Sequence, residues 1–335
     1  LRPINARDSA HAMNDERQFR VRRPSVTVQN LLDRGGESLR LHIVAAGDHL
    51  DRVIREPAIH RPGLALAGFF KHFAESRIQL IGLSEYDYLS SLSPQVRSER
   101  FEEMFSRRIP AVVFARGKRV FREVKEFAER YDAPVLSTRL ITRQFQNAAT
   151  VMLEELSAFR CRLHATLLNV AGLGVLLEGP AGIGKSETAL GLIKRGHALI
   201  ADDMTELRRT GDQTLIGSAV ALTRHYMEIR GIGIIHVPSL FGSASVASEK
   251  QVDLIVTLRP SGEADPDSDR MGEKRQFSEI MGVQVTQVVI PVAPGRDLVN
   301  IVETAAQEWR LRLAGHVAAR DLDEQIKQRL TSGHA

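Results

Sequence analysis

The run Gly179-Pro180-Ala181-Gly182-Ile183-Gly184-Lys185-Ser186 has the spacing G-x-x-x-x-G-K-S. This is the loop that nucleotide hydrolases and kinases wrap around phosphate. Its glycines let main-chain N–H groups turn inward onto phosphate oxygens. A helix starting directly after it adds partial positive charge. Lys185 has the reach and charge for the outer phosphates. The Ser186 hydroxyl is a hard oxygen donor suited to Mg²⁺. The flanks meet the motif's requirement, because Gly174–Glu178 has the apolar character of a strand and Glu187–Arg195 the pattern of a helix. A Gly-rich turn of no function would not need either flank.

Other candidate residues fall around this loop in the sequence. Asp202 and Asp203 end the apolar run Ala198–Ala201. Carboxylates at a strand end beside such a loop hold Mg²⁺, directly or through water, or handle a proton. Two adjacent carboxylates repel unless a cation separates them, which leaves one acid free to take the proton. Glu228-Ile229-Arg230-Gly231-Ile232-Gly233-Ile234-Ile235-His236-Val237 sends a charged pair into a glycine-spaced apolar run. Composition alone favours an edge-strand ion pair followed by a buried strand. The functional alternative makes Glu228 a second Mg²⁺ contact and pairs Arg230 with a carboxylate or a phosphate. His164 lies in the strand-like run Arg162–Val170, where a lone histidine is ordinarily structural. Arg270, after the acidic stretch Gly262–Asp269, and Arg296, in the turn Pro291–Arg296, are loop arginines able to steady a transferring phosphate.

The elements that must position these residues alternate between helical and strand patterns. Residues 25–155 run β-then-α through Leu39–Val44, Ile78–Leu83, Ala111–Phe114 and Pro134–Leu136, an α/β domain with a largely parallel sheet. No acid–base cluster stands out there, which favours a regulatory or assembly role. Thr142–Leu156 is a helical pattern that can connect two domains. Residues 156–335 carry the phosphate loop with shorter, partly antiparallel strands (Glu206–Arg208, Thr214–Gly217, Tyr226–Ile229, Asp253–Leu258, Val283–Pro291) and helices over Leu298–Leu313 and Leu322–Leu330. Residues 1–24 hold six arginines against three acids. They therefore supply +3 of the net +4 charge and have the character of a disordered tail. No aromatic-interleaved basic motif marks a nucleic-acid arm. The sequence shows no membrane-length apolar run and no apolar signal core, so a cytoplasmic, non-membrane protein is expected. The single cysteine, Cys161, cannot form an internal disulfide.

These blocks resemble, in order, those of the bacterial HPr kinase/phosphorylase family. The phosphate loop with Glu187 and Thr188 is similar to that family's G-x-x-G-x-G-K-S-E-x-A-L. Arg195–Asp203 is similar to R-G-H-x-L-I/V-A-D-D, Glu228–Val237 to E-I-R-G-L-G-I-I-x-V, and Pro291–Arg296 to P-V-x-x-G-R. The resemblance implies a phosphoenolpyruvate carboxykinase-like, P-loop C-terminal domain with a short mixed sheet behind an N-terminal α/β domain. It also implies Mg²⁺ and ATP as cofactors, a serine of the phosphocarrier HPr as substrate, a phosphorolytic reverse reaction releasing pyrophosphate, and a homohexamer. It makes His164, Lys185, Asp203 and Arg270 active-site residues, with Asp203 accepting a proton in one direction and donating it in the other. It makes Ser186 and Glu228 Mg²⁺ contacts, assigns 228–237 to both reactions and 291–296 mainly to dephosphorylation. Ala181 and Gly191 depart from the family, which usually has Ser and commonly Glu there. The competing readings are a related P-loop small-molecule kinase and a nucleotide-gated module without catalysis.

Overall fold

A computed structural model describes residues 20–211, 213–261 and 276–316. The expected tail is outside it as far as residue 19, as are Arg270 and the helical pattern Leu322–Leu330. Ordered pairing already begins inside the segment expected as a tail: Arg22 and Arg160 exchange two main-chain hydrogen bonds. No helix among the described residues is long and apolar enough to cross a membrane. The chain divides into two compact units, Arg23–Ala158 and a second from Phe159 onward that includes Arg22.

The first unit is built on β1 (Leu41–Ala45), β2 (Ile59–His60), β3 (Ile78–Ile81), β4 (Val112–Phe114) and β5 (Val135–Thr138), in the order β1-β5-β4-β3-β2. β2 to β5 are parallel and β1 runs antiparallel along β5. β3 and β4 are buried along their whole length, the pattern of a parallel sheet covered on both faces. One face is covered by α2 (Gly63–Leu66), α3 (Leu83–Ser91), α4 (Pro94–Ser106) and α5 (Arg122–Arg130), through Phe101, Phe105, Val124 and Phe127. The other is covered by α1 (Val28–Gly35) and α6 (Thr142–Ser157), through Leu31, Phe145, Ala149 and Leu153. α6, expected as a connector, is thus part of this unit's core. Local signals set the helix starts. Thr27 Oγ1 accepts from the Asn30 N–H ahead of α1, and Ser93 with Pro94 opens α4.

The second unit has a six-stranded mixed sheet of β7 (Thr166–Val170), β8 (Leu173–Glu178), β9 (Ala198–Ala201), β15 (Leu254–Pro260), β16 (Gln276–Ile280) and β17 (Val283–Val292), ordered β16-β17-β15-β8-β7-β9. A four-stranded antiparallel sheet, ordered β14-β11-β10-β6, combines β6 (Arg160–Leu163), β10 (Thr205–Thr210), β11 (Thr214–Ala219) and β14 (Glu249–Gln251). A separate hairpin pairs β12 (Tyr226–Ile229) with β13 (Gly233–His236), followed by the short α8 (Val237–Phe241). Strand alternation sorts the core. Leu168, Val175, Leu177, Leu254 and Val256 face α7 (Lys185–Lys194) and α9 (Leu298–Leu313), meeting Ala189, Leu192 and Val302. Leu167, Leu176 and Ile255 face the four-stranded sheet at Leu207 and Leu215. Each Leu or Ile so enclosed contributes about 1.5–3 kcal/mol.

Two expectations are corrected. The run Arg162–Val170 is not one strand. It breaks at His164 and Ala165 because β6 pairs within one sheet and β7 within the other, so His164 sits at an exposed corner. The apolar run after Glu228 is not a buried strand. Ile232 and Ile234 are 73% and 75% exposed, because the hairpin joins neither large sheet and only Met227 and Ile229 of its β12 strand enter the core.

Candidate functional site

The registers of the six-stranded sheet bring one edge together. β8, β15 and β17 are mutually parallel, so Glu178, Pro260 and Val292 end at the same side. β7 is antiparallel to both β8 and β9, which places its first residue, Thr166, opposite Leu177 and its Leu167 opposite Ala201. The phosphate loop follows β8, the aspartates follow β9, the His164 corner precedes β7 and the Pro291–Arg296 turn ends β17. Segments far apart in sequence therefore share the edge where α/β proteins bind ligands.

Gly184 heads α7 with φ 105° and no side-chain cap, leaving the first N–H groups of the helix for an anion. Gly179, at φ 149°, passes so close to β15 that an added Cβ would lie 2.6 Å from the Leu258 carbonyl oxygen. That contact requires glycine at the start of the loop. Lys185 Nζ donates to the carbonyls of Gly179 (2.8 Å) and Pro180 (3.0 Å), lying along the loop. Ala181 is an exposed loop residue. An added Cβ on Gly182 would be 3.1 Å from Arg230 Nη2, so the hairpin's arginine stands over the loop.

Ser186 Oγ lies 3.1 Å from both carboxylate oxygens of Asp202. Asp202 is 6% exposed. It also accepts from Thr166 Oγ1 at 2.8 Å and from the main-chain N–H groups of Asp203 and Glu228. Burial pushes the Asp202 carboxyl above its ordinary range. The hydrogen bonds from Thr166, Ser186, Asp203 and Glu228 pull the other way. Asp203, the next residue, has φ 59°, and that left-handed turn sends its side chain outward. It is 80% exposed and its Oδ1 lies 3.7 Å from His164 Nδ1. The expected pair of mutually repelling acids is therefore resolved by direction, one carboxylate buried among donors and the other facing solvent beside a histidine. Glu228 is exposed on β12, with its main chain bonded to the Asp202 carboxylate.

Arg296 Nη1 donates to the Pro291 carbonyl at 2.8 Å, closing its own turn. Sequence reading missed Thr166. The signal was a lone hydroxyl opening a strand that is apolar but for Asn169. It also left Arg195 and His197 without a task. In the structure both bind Glu303 of α9 (2.7 Å and 3.1 Å), tying the end of α7 to that helix.

Ser186 and Asp202 meet at 3.1 Å and Glu228 joins them through its main chain; their side chains carry only oxygen donors, a hard set that suits Mg²⁺. Among the described residues no group of three or more His, Cys, Asp or Glu side chains forms a metal cage.

The family model described as "HPr Serine kinase C-terminal domain" matches residues 155–326, and "HPr Serine kinase N terminus" matches residues 26–153. An HPr kinase/phosphorylase of Caldicellulosiruptor bescii is 42% identical over 285 residues, 85% of this chain and 91% of the relative. That of an Exiguobacterium species is 40% identical over 290 residues, 87% and 93% of the two chains. The solved Hpr(Ser) kinase/phosphatase from Coxiella burnetii is 36% identical, covers 49% of this chain and 97% of its own, and superposes with a TM-score of 0.44.

Proposed function

The chain belongs to the HPr serine kinase family, and on that premise we propose that it phosphorylates a serine of HPr with ATP and removes the phosphate by phosphorolysis. The observation that carries the residue assignment is the shared sheet edge. There the phosphate loop, Asp202, Asp203, His164, Glu228 and Arg230 lie on adjoining strand ends and the hairpin over them. The N–H groups from Gly179 to Ser186 cradle the β- and γ-phosphates, and Lys185 moves from the loop carbonyls to the phosphate oxygens. Ser186 and Glu228 would hold Mg²⁺, with Asp202 orienting the Ser186 hydroxyl. When bound, the cation neutralises charge on the transferring phosphates.

Asp203 takes the proton of the HPr serine hydroxyl as its oxygen attacks the γ-phosphorus and the bond to the ADP oxygen breaks. In the reverse direction an oxygen of inorganic phosphate attacks the phosphoserine phosphorus. The phosphorus–serine bond breaks, pyrophosphate leaves, and protonated Asp203 returns its proton to the serine oxygen. His164 steadies Asp203 from 3.7 Å. Arg230 and Arg270 supply positive charge to the phosphates, and Arg296 serves mainly the dephosphorylation. A closed homohexamer in the cytoplasm is the assembly we assign to it.

The test incubates the protein with ATP, Mg²⁺ and HPr, then adds inorganic phosphate. Phosphoserine should form and then disappear with release of pyrophosphate, and Lys185→Ala should abolish both. Nucleotide binding without transfer to HPr, or transfer to a small acid instead, would overturn the assignment.

A further inference from the structure

We propose that the first unit carries its own binding site for a small phosphate-bearing anion, in a cavity between the carboxyl end of β5 and the amino end of β1. The cavity is open, about 580 Å³, and lined by Gly36, Glu37, Arg40, Leu41, His42 and Arg139. That volume lies within the range of small-ligand sites. Arg40, His42 and Arg139 are all exposed. Among the described residues neither Arg40 nor Arg139 has an acidic or carbonyl partner for its guanidinium. Several other arginines of the unit pair with carboxylates, as in Arg61–Glu85, Arg97–Glu123 and Arg130–Glu102.

Topology places the cavity beside an open end of the sheet. The chain leaves β4 for α5 on one face of the sheet and leaves β5 for α6 on the opposite face. Connections that depart to opposite faces leave the carboxyl ends of β4 and β5 open, and the cavity lies next to that opening, on the β1 side of β5. The antiparallel register Leu41↔Thr138 and His42↔Ser137 sets the amino end of β1 beside the carboxyl end of β5, where the cavity opens. The walls are fixed: Thr138 Oγ1 donates to the Leu39 carbonyl at 2.6 Å and accepts from the Leu140 N–H at 3.1 Å. The loop after β4 is stitched alongside, with the Arg116 N–H on the Leu140 carbonyl (2.9 Å) and the Gly117 N–H on the Thr138 carbonyl (2.8 Å). Arg116 and Arg119, also exposed and without side-chain partners among the described residues, extend the positive field from that loop.

Guanidinium forks match the tetrahedral oxygens of phosphate in geometry as well as charge. Two arginines outweigh the one lining carboxylate, Glu37. Six lining residues and about 580 Å³ match a small molecule rather than a nucleic-acid strand. This site lies wholly within residues 36–139, so it stands whether or not the phosphate-loop assignments hold.

The experiment measures radiolabelled glycerol 3-phosphate by equilibrium dialysis against the full chain, with the phosphate loop saturated by Mg²⁺ and a non-hydrolysable ATP analogue. One further site per chain is expected, displaced by inorganic phosphate. Arg139→Gln and Arg40→Gln should each weaken it at least tenfold at unchanged Tm. Arg122→Gln, an exposed arginine of α5, should change it less than twofold. Absence of binding beyond the saturated loop, or a site indifferent to both substitutions, overturns the proposal. So does a result in which only an oligonucleotide binds.

Discussion

Asp203→Asn separates chemistry from architecture more cleanly than any other change in this molecule. Asp203 occupies left-handed backbone at φ 59°, a conformation that asparagine adopts as readily as aspartate and that alanine resists. The substitution therefore leaves the turn after β9 unstrained. Its structural cost is bounded by one contact. At 3.7 Å from His164, opposite charges are worth about 1 kcal/mol in bulk water. With both side chains more than three-quarters exposed, screening leaves a fraction of that. Stability should move by less than about 1 kcal/mol. A lost general base costs about a hundred- to ten-thousandfold in rate, which is about 2.7–5.4 kcal/mol of barrier. The two effects differ enough to be told apart in one preparation. Phosphoserine formation on HPr should fall by at least a hundredfold, pyrophosphate release likewise, while Tm and ATP-analogue binding stay near wild type. Turnover within tenfold of wild type would refute the assignment of Asp203. Loss of nucleotide binding together with activity would show that Asp203 serves the site's structure instead.

Other outcomes follow from particular contacts. Arg296→Ala, which removes a guanidinium that closes its own turn on the Pro291 carbonyl, should reduce dephosphorylation about tenfold and phosphorylation less than threefold. Equal loss in both directions would count against a selective role. Gly191→Ala should destabilise the second unit, because an added Cβ would lie 2.4 Å from Val299 Cγ2. Overpacking of about 1–3 kcal/mol exceeds the helix-propensity gain of about 1 kcal/mol. Thermal denaturation of Gly191→Ala in a Val299→Ala background should reverse the sign, and failure to do so refutes the packing account. Burial pushes the Cys161 thiol up to about 12. Alkylation at pH 8 should therefore track global unfolding in denaturant, and rapid labelling of the native protein would contradict that burial.

The sequence by itself determined whatever depends on neighbours along the chain. The glycine and lysine spacing of 179–186 dictates a loop between a strand and a helix because each residue acts through its own backbone. α9 over Leu298–Leu313 and the β-then-α order of the first unit were legible from local pattern as well. Only the tertiary structure decided what arises where distant segments meet. His164 became a corner residue because the chain changes sheets there. Thr166 became a partner of Asp202 because β7 lies between β8 and β9. The same packing made Gly191, which propensity alone counts as a cost, a requirement of the Val299 contact. Asp202 and Asp203, identical in type and adjacent in sequence, took opposite environments because one φ angle turned one inward and the other out. Burial and direction are properties of the folded neighbourhood, and residue type alone carries neither.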